Sequence, residues 1–491
     1  MNTQSFFAAS RNPLVTALIA AGALWASAAP AHAAWQHAHG DSDNTGFAHV
    51  DTLPAQQPIS VRTLGRVAPG ANPVVSPDGT VYIGTMEGTL KAFRADGTPY
   101  WERTINPEHG GFYASPVVGA DGSVYVVSSK PRADGLRGDS YLHKFLPGGG
   151  WLGGRSFPFH GGDGGATSAP PNIWRHNGQE AIIVPAQFRT YNGVERRLTA
   201  FSTQQNVMSD VLVGFESFGD IGGGGEWSLA GCLALHWWNL GLGCALFGPP
   251  GFDAPSGTGT IDNRTAVDKA GYPMAGVAIV KPRQAGAAPT VVVTDEDYVV
   301  GYSFSMTAGL SAIHHYDYNR GLATPPITLP DGTTVVGSLD GHVFYEKAGS
   351  YLGFSGPFGT LTAAPTRLFG GGLAVVSRQG RLTVLDSRKQ VIYQSGVTGG
   401  QSIASAAASC THLYVSTLGE LFTYDVKNMT AVARVAWQKP YVEGGLHAPV
   451  IGPTGYVYVI ARHSLAGSDA LYVFPRPATA GSGETRGCAL N

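Results

Sequence analysis

Side chains able to do chemistry gather in a handful of short, Gly-rich stretches. They are Glu108-His109-Gly110-Gly111-Phe112-Tyr113, His160-Gly161-Gly162-Asp163, Tyr318-Asn319-Arg320, and Glu443 with His447. Carboxylates and imidazoles converging on one axis could bind a cation or a small polar ligand, or exchange protons with one. The plainer account is that these stretches are polar because they line a solvated mouth. No metal is expected: His37 and His39 are spaced one apart, and a two-His pair is a weak ligand set. The triplet Asp295-Glu296-Asp297 sits at a turn between strands, where solvated charge is the default. The sequence contains no GxSxG, HExxH or GxxxxGK[ST], so serine-hydrolase, zincin and phosphate-loop chemistry have no motif here.

Those stretches are positioned by a repeat. One unit runs Pro73-Val74-Val75, through Ser76-Pro77-Asp78-Gly79, to Val81-Tyr82-Ile83-Gly84 and on to Leu90-Lys91-Ala92-Phe93. It reads as strand, Asp-Gly turn, β-branched strand, second turn and third strand. The third strand recurs at Leu90, Leu142, Leu198, Val299, Val343, Leu382, Leu421 and Leu471. Three residues later stand Phe93, Phe145, Phe201, Tyr302, Leu385, Tyr424 and Phe474, but Glu346 in the Val343 copy. Repeats of this length match four-stranded propeller blades. The expected fold is an all-β, eight-bladed β-propeller, with seven blades as the fallback. The chemical stretches then fall in the loops before each blade's first strand, at one mouth of the central channel. The last copy lacks a fourth strand, while Ile59–Gly65 stands alone before the first copy. That N-terminal strand is expected to close the ring as the outer strand of the last blade.

The third-strand interval stretches between Leu198 and Val299, which places an apolar insertion at 206–265. It holds Trp237, Trp238, Cys232 and Cys244. The insertion reads either as a disulfide-stapled hairpin packed on a propeller face or as a docking element for a partner. With Cys410 and Cys488 there are four cysteines, no CxxC, and three possible pairings. Cys232–Cys244 with Cys410–Cys488 is the expected set, the second bridge stapling the 476–491 tail to the body.

Residues 1–33 read as an export signal: Arg11, an apolar run from Leu14 to Trp25, and Ala31-His32-Ala33 before the cleavage point. The run is shorter than the roughly 20 residues a membrane span needs. The expected location is therefore the periplasm or extracellular space, with no span after cleavage, and the propeller then occupies 34–475. Lys+Arg 32 against Asp+Glu 34 leaves no basic excess for nucleic-acid binding. With 43% hydrophobic and only 13% charged residues the chain is not disordered, and 68 Gly with 32 Pro disfavour helical bundles.

The segment Ala92-Phe93-Arg94-Ala95-Asp96-Gly97-Thr98-Pro99-Tyr100-Trp101 resembles the blade signature of PQQ-like (pyrroloquinoline-quinone-type) repeat propellers. Trp35, Gly40-Asp41 and Asn44-Thr45-Gly46 resemble the opening of many exported members. The resemblance implies one of two functions. One is a cofactor-free exported propeller that binds another protein or a small polar ligand, expected here as a monomer. The alternative is a quinone-dependent or other dehydrogenase-type enzyme acting on a small polar substrate, with PQQ and calcium. The adjacent-cysteine pair and the CxxCH haem motif that accompany the enzymes are absent. The reading therefore favours a non-enzymatic binding or scaffold protein, acting through its insertion and channel-mouth loops.

Overall fold

The computed structural model describes residues 35–131, 137–158, 169–189, 193–217, 276–282, 284, 286–295, 298–318, 321–396, 400–437, 441–463, 467–478 and 488. Residues 1–33, expected to be an export signal, lie outside them. Blade 1 comprises Val74–Val75, Val81–Gly84, Thr89–Phe93 and Pro99–Thr104, paired in that order. Seven further antiparallel sheets follow, making an eight-bladed β-propeller. The repeat residues explain why the blades stack. Leu90, Leu142, Leu198, Val299, Val343, Leu382, Leu421 and Leu471 are all fully buried between neighbouring sheets. Removing such aliphatic side chains from water is the main force holding blade to blade.

The ring closes through the N-terminal strand, as the sequence predicts. Ser60–Gly65 pairs antiparallel with Ser468–Phe474, the third strand of blade 8, with Ser60 opposite Val473 and Arg62 opposite Leu471. Every outermost strand shifts register against its neighbour, from Ala92/Phe93 in blade 1 to Thr63/Gly65 in blade 8. Such bulges twist an exposed edge away from further pairing.

Strand direction alternates within a blade, so the connections fall on two faces. Turns joining first to second strands lie on one, here the turn face. Hairpins joining second to third strands, and the loops leading into first strands, lie on the other, the loop face. Blades 2, 3 and 8 rise on the loop face, because their middle strands are long: Val124–Pro131 with Arg137–Phe145, Gln179–Arg189 with Gly193–Ser202, and Val457–His463 with Ser468–Phe474.

One sequence boundary shifts. Val207–Ser217, expected to open the 206–265 insertion, is the 11-residue fourth strand of blade 3. Its unusual length used residues that the repeat spacing had assigned to the insertion. The connection to Val277–Val280, the first strand of blade 4, leaves from the loop-face end of this strand. Trp237, Trp238, Cys232 and Cys244 lie outside the described residues. Cys410 and Cys488 are joined as a disulfide with Cα atoms 5.3 Å apart, and both pack against the core of blades 6 and 7.

Candidate functional site: a channel filled by its own chain

A propeller's innermost strands face the channel with one edge unpaired, so their N–H and C=O groups need partners. Residues 35–50 supply them. The segment offers its carbonyls in turn around the ring. Val75 donates to Trp35 O at 2.7 Å and Val118 to Gln36 O at 3.0 Å. Ile279 donates to Ser42 O, Thr328 to Asp43 O, Arg367 to Thr45 O and Ala408 to Gly46 O, each at 2.8 Å. Ala48 N–H returns to Ala408 O, and Cys410 N–H takes Val50 O at 3.0 Å. Blade 3 joins through a side chain, the Asn172 amide donating to Ser42 O at 2.9 Å. One strand of chain thus touches seven blades.

The segment turns because its residues allow it. Gly40, Asn44 and Gly46 have φ of 93°, 55° and 64°, left-handed values that Gly and Asn adopt at least cost. Asp41 caps the bend by accepting from the Thr45 N–H and hydroxyl, both at 3.0 Å. Asn44 bridges two neighbouring blades, its amide donating to Val277 O at 2.7 Å and Pro326 O at 3.1 Å. The turn His37–Gly40 rises into the bore, where the Asn72 amide meets Ala38 O. The His39 ring donates from Nδ1 to Asn44 O at 2.6 Å, and a Cβ at Gly46 would collide with that ring. Both imidazoles are buried, which holds their pKa below the ordinary histidine value; Arg175 and Lys281 lower His37 further. The Nδ1 of His39 is thereby committed to the Asn44 carbonyl. Asp43 reaches Lys281 at 2.7 Å on the turn face, and burial with the neighbouring Asp41 charge pushes its carboxyl up to about 6.

Of the residues expected at the mouth, those that are described sit in separate surroundings. Glu108 is exposed on the short 3-10 turn Pro107–His109. His109 turns outward against blade 2, its ring stacked on Tyr141 at 4.1 Å. Behind it lies a closed relay. Trp151 Nε1–H donates to His143 Nδ1 at 3.3 Å, His143 Nε2 meets the Ser128 hydroxyl at 2.8 Å, and Ser128 donates to His109 O at 2.7 Å. With Nδ1 accepting, His143 carries its proton on Nε2 and cannot take one from Ser128. Burial pushes its pKa down to about 3. This Ser–His contact pins the His109 loop and is not a nucleophile with its base.

Tyr113 is buried in the apolar cluster that also contains Trp35. Glu443 belongs to the short piece Val442–Glu443, paired with Arg462 and His463. His447 is fully buried and donates from Nδ1 to Ala71 O at 2.7 Å, at the seam where blade 8 meets blade 1. His160, Asp163 and Arg320 lie outside the described residues. Asp295, expected to be solvated, is buried and pairs with Arg196 across the seam of blades 3 and 4.

A quinone with calcium would need clustered carboxylate and amide donors. Among the described residues no three His, Cys, Asp or Glu are gathered closely enough to hold a metal ion. The residues before the first strands are small and buried, among them Ala71, Ala114, Ala169, Ala364, Ala406 and Ala448. This donor set does not fit that group.

No protein-family model matches the sequence, and no curated protein matches it. Solved structures match by shape. The C-terminal WD40 domain of Sif2 aligns over 87% of this chain and 99% of its own, with TM-score 0.55 and 12% identity. Saccharomyces cerevisiae Sqt1 covers 86% of this chain and 100% of its own, with TM-score 0.52 and 10% identity. The quinohemoprotein alcohol dehydrogenase from Comamonas testosteroni covers 94% of this chain and 84% of its own, with TM-score 0.52 and 12% identity. Fold and site together define a class, the eight-bladed β-propeller, here with a self-filled channel. A WD40 domain and an alcohol dehydrogenase share that architecture, so the fold alone does not choose between binding and catalysis.

Proposed function

We propose that the protein is an exported, monomeric, non-enzymatic member of the PQQ-like propellers that binds another protein on its loop face. The observation that carries this reading is the threading of residues 35–50 against seven blades. The axial space where a propeller could cradle a cofactor or small substrate is taken by the chain's own backbone. Recognition then belongs to the periphery. The loop face has the relief for it: the tall hairpins of blades 2, 3 and 8, and the point where the Trp-rich insertion leaves blade 3. Aromatic side chains such as Trp237 and Trp238 are the residue type that dominates protein interfaces. The alternative, a dehydrogenase-type enzyme, has the fold's versatility in its favour but no donor cluster among the described residues.

The test is reconstitution after in-cell cross-linking. The partner captured by the wild-type protein is identified, purified and titrated against the wild type and a variant lacking 222–252. Saturable binding lost in a variant with an unchanged circular dichroism spectrum and melting temperature supports the reading. Binding that survives the deletion removes the insertion from it. Turnover of small alcohols or sugars by the quinone-supplemented protein would replace it with the enzymatic one.

A further inference from the structure

Glu346 is the exception in an eightfold repeat, an acid where every other blade buries an aromatic ring or leucine. It is 1% exposed at the seam between blades 4 and 5. Its Oε2 accepts the Gly349 N–H at 3.0 Å and the Thr334 hydroxyl lies beside the carboxylate, but Oε1 has no donor. The same seam holds a second orphan. The Tyr318 hydroxyl, on a side chain 8% exposed, also lacks a partner, and Glu346 is near enough for its charge to disfavour the phenolate. Two unmet polar atoms under one lid of rings are a costly arrangement for a purely structural seam.

The surrounding surface is aromatic. Tyr351 stands opposite Glu346 in the ladder and is 40% exposed. Its ring stacks on Tyr316 at 5.5 Å and meets Tyr318 edge-on at 6.1 Å, while Tyr318 packs on Phe344 at 4.7 Å. No Lys, Arg or His among the described residues pairs with Glu346, and the adjacent Lys347 turns away to Asp331. Buried carboxylates are ordinarily matched by a cation.

We propose that the blade 4–5 seam is a binding site for a primary ammonium group, entering past Tyr351 and held by Glu346 Oε1 and the Tyr318 hydroxyl against the tyrosine faces. An R–NH3+ head brings three donors and a positive charge. Glu346 and Tyr318 are free to accept two of those donors, and the charge is attracted to the ring faces. The head group has two sources, a free alkylamine or a lysine side chain presented by a peptide. The site is independent of the loop-face reading, because it lies on the outer wall between two other blades.

Isothermal titration calorimetry on the full chain tests it with n-butylammonium chloride and with Nα-acetyl-lysine amide, tetramethylammonium chloride serving as the donor-free control. Saturable binding of a primary ammonium is expected, weakened about tenfold or more in Glu346→Gln and several-fold in Tyr318→Phe. Binding of the lysine amide alone assigns the site to a peptide lysine; binding of both assigns it to alkylamines generally. Glu346→Leu restores the residue type of the other blades, so it is expected to fold, melt higher and bind neither probe. Absence of saturable binding to the wild type, or binding unchanged in Glu346→Leu, overturns the proposal.

Discussion

Asn44 offers the sharpest test of the filled channel. Its amide donates to the carbonyls of Val277 and Pro326, in blades 4 and 5, and its backbone sits at φ 55°. Asn44→Ala removes both hydrogen bonds, each contributing roughly 1 kcal/mol net. It also forces a Cβ-bearing residue without a local polar side chain into the left-handed region, costing about 1 kcal/mol more. Val277 O retains the Asn172 amide at 2.7 Å, so Pro326 O is the carbonyl that loses its side-chain donor. The sum is about 3 kcal/mol for Asn44→Ala and about 2 kcal/mol for Asn44→Gly, which keeps the backbone at ease. Denaturant midpoints measure the difference, and hydrogen exchange locates it. The amides of Ile279 and Thr328, bonded to Ser42 O and Asp43 O, should exchange faster in both variants, while blade 1 amides hold. An Asn44→Ala protein as stable as wild type, with those two amides still protected, would refute the threading.

Four further outcomes follow from buried and cross-linked groups. His37, His39 and His143 all titrate lower in the folded protein than when unfolded, so the unfolded chain binds more protons below about pH 6.5. Their contribution is complete above that value and is lost as pH falls toward the folded pKa. For His143, with a pKa of about 3, the loss reaches as much as about 5 kcal/mol. His143→Gln should flatten the pH dependence of the melting temperature between pH 6.5 and 4, and an unchanged slope would contradict the assignment. The Cys410–Cys488 bridge spans 78 residues, and Cys488→Ser should lower stability by about 2–4 kcal/mol, read from the denaturant midpoint. Thiol labelling of the unreduced, denatured protein should find no free cysteine at any of the four positions. Trp174 is buried, donates to Pro289 O at 2.9 Å and meets Phe304 edge-on at 4.8 Å, so Trp174→Ala should cost about 3–5 kcal/mol by the same midpoint assay.

The ring was legible because burial between stacked sheets imposes one residue pattern eight times. Leu90 with Phe93 and Leu471 with Phe474 do the same work at opposite ends of the chain, and spacing alone exposes them. Closure by Ser60–Gly65 was legible for a related reason, since a blade missing its outer strand implies a donor elsewhere. The channel segment left no such mark. Its carbonyls reach the blades at irregular intervals, from Trp35 and Gln36 to Ser42, Asp43, Thr45, Gly46 and Val50, so the stretch has no periodicity, only Gly40, Asn44 and Gly46 hinting at left-handed turns. The mouth residues that are described took separate surroundings, because spacing fixes where a loop begins but not where its side chains point. His109 went to the aromatic wall of blade 2 and His447 into the blade 8–1 seam. Glu346 was visible as an irregularity, but its burial and its unmet oxygen are properties of the packed seam.

The threading of residues 35–50 gives the channel axis to the chain itself, and the proposed function gives recognition to the periphery. Equilibrium dialysis of the purified protein against pyrroloquinoline quinone with calcium puts this to the test, the retained quinone read from its absorbance. No stoichiometric retention is expected, and no displacement of residues 35–50 in hydrogen exchange. One quinone held per chain, with the amides of Val75, Ile279 and Ala408 deprotected, would contradict it.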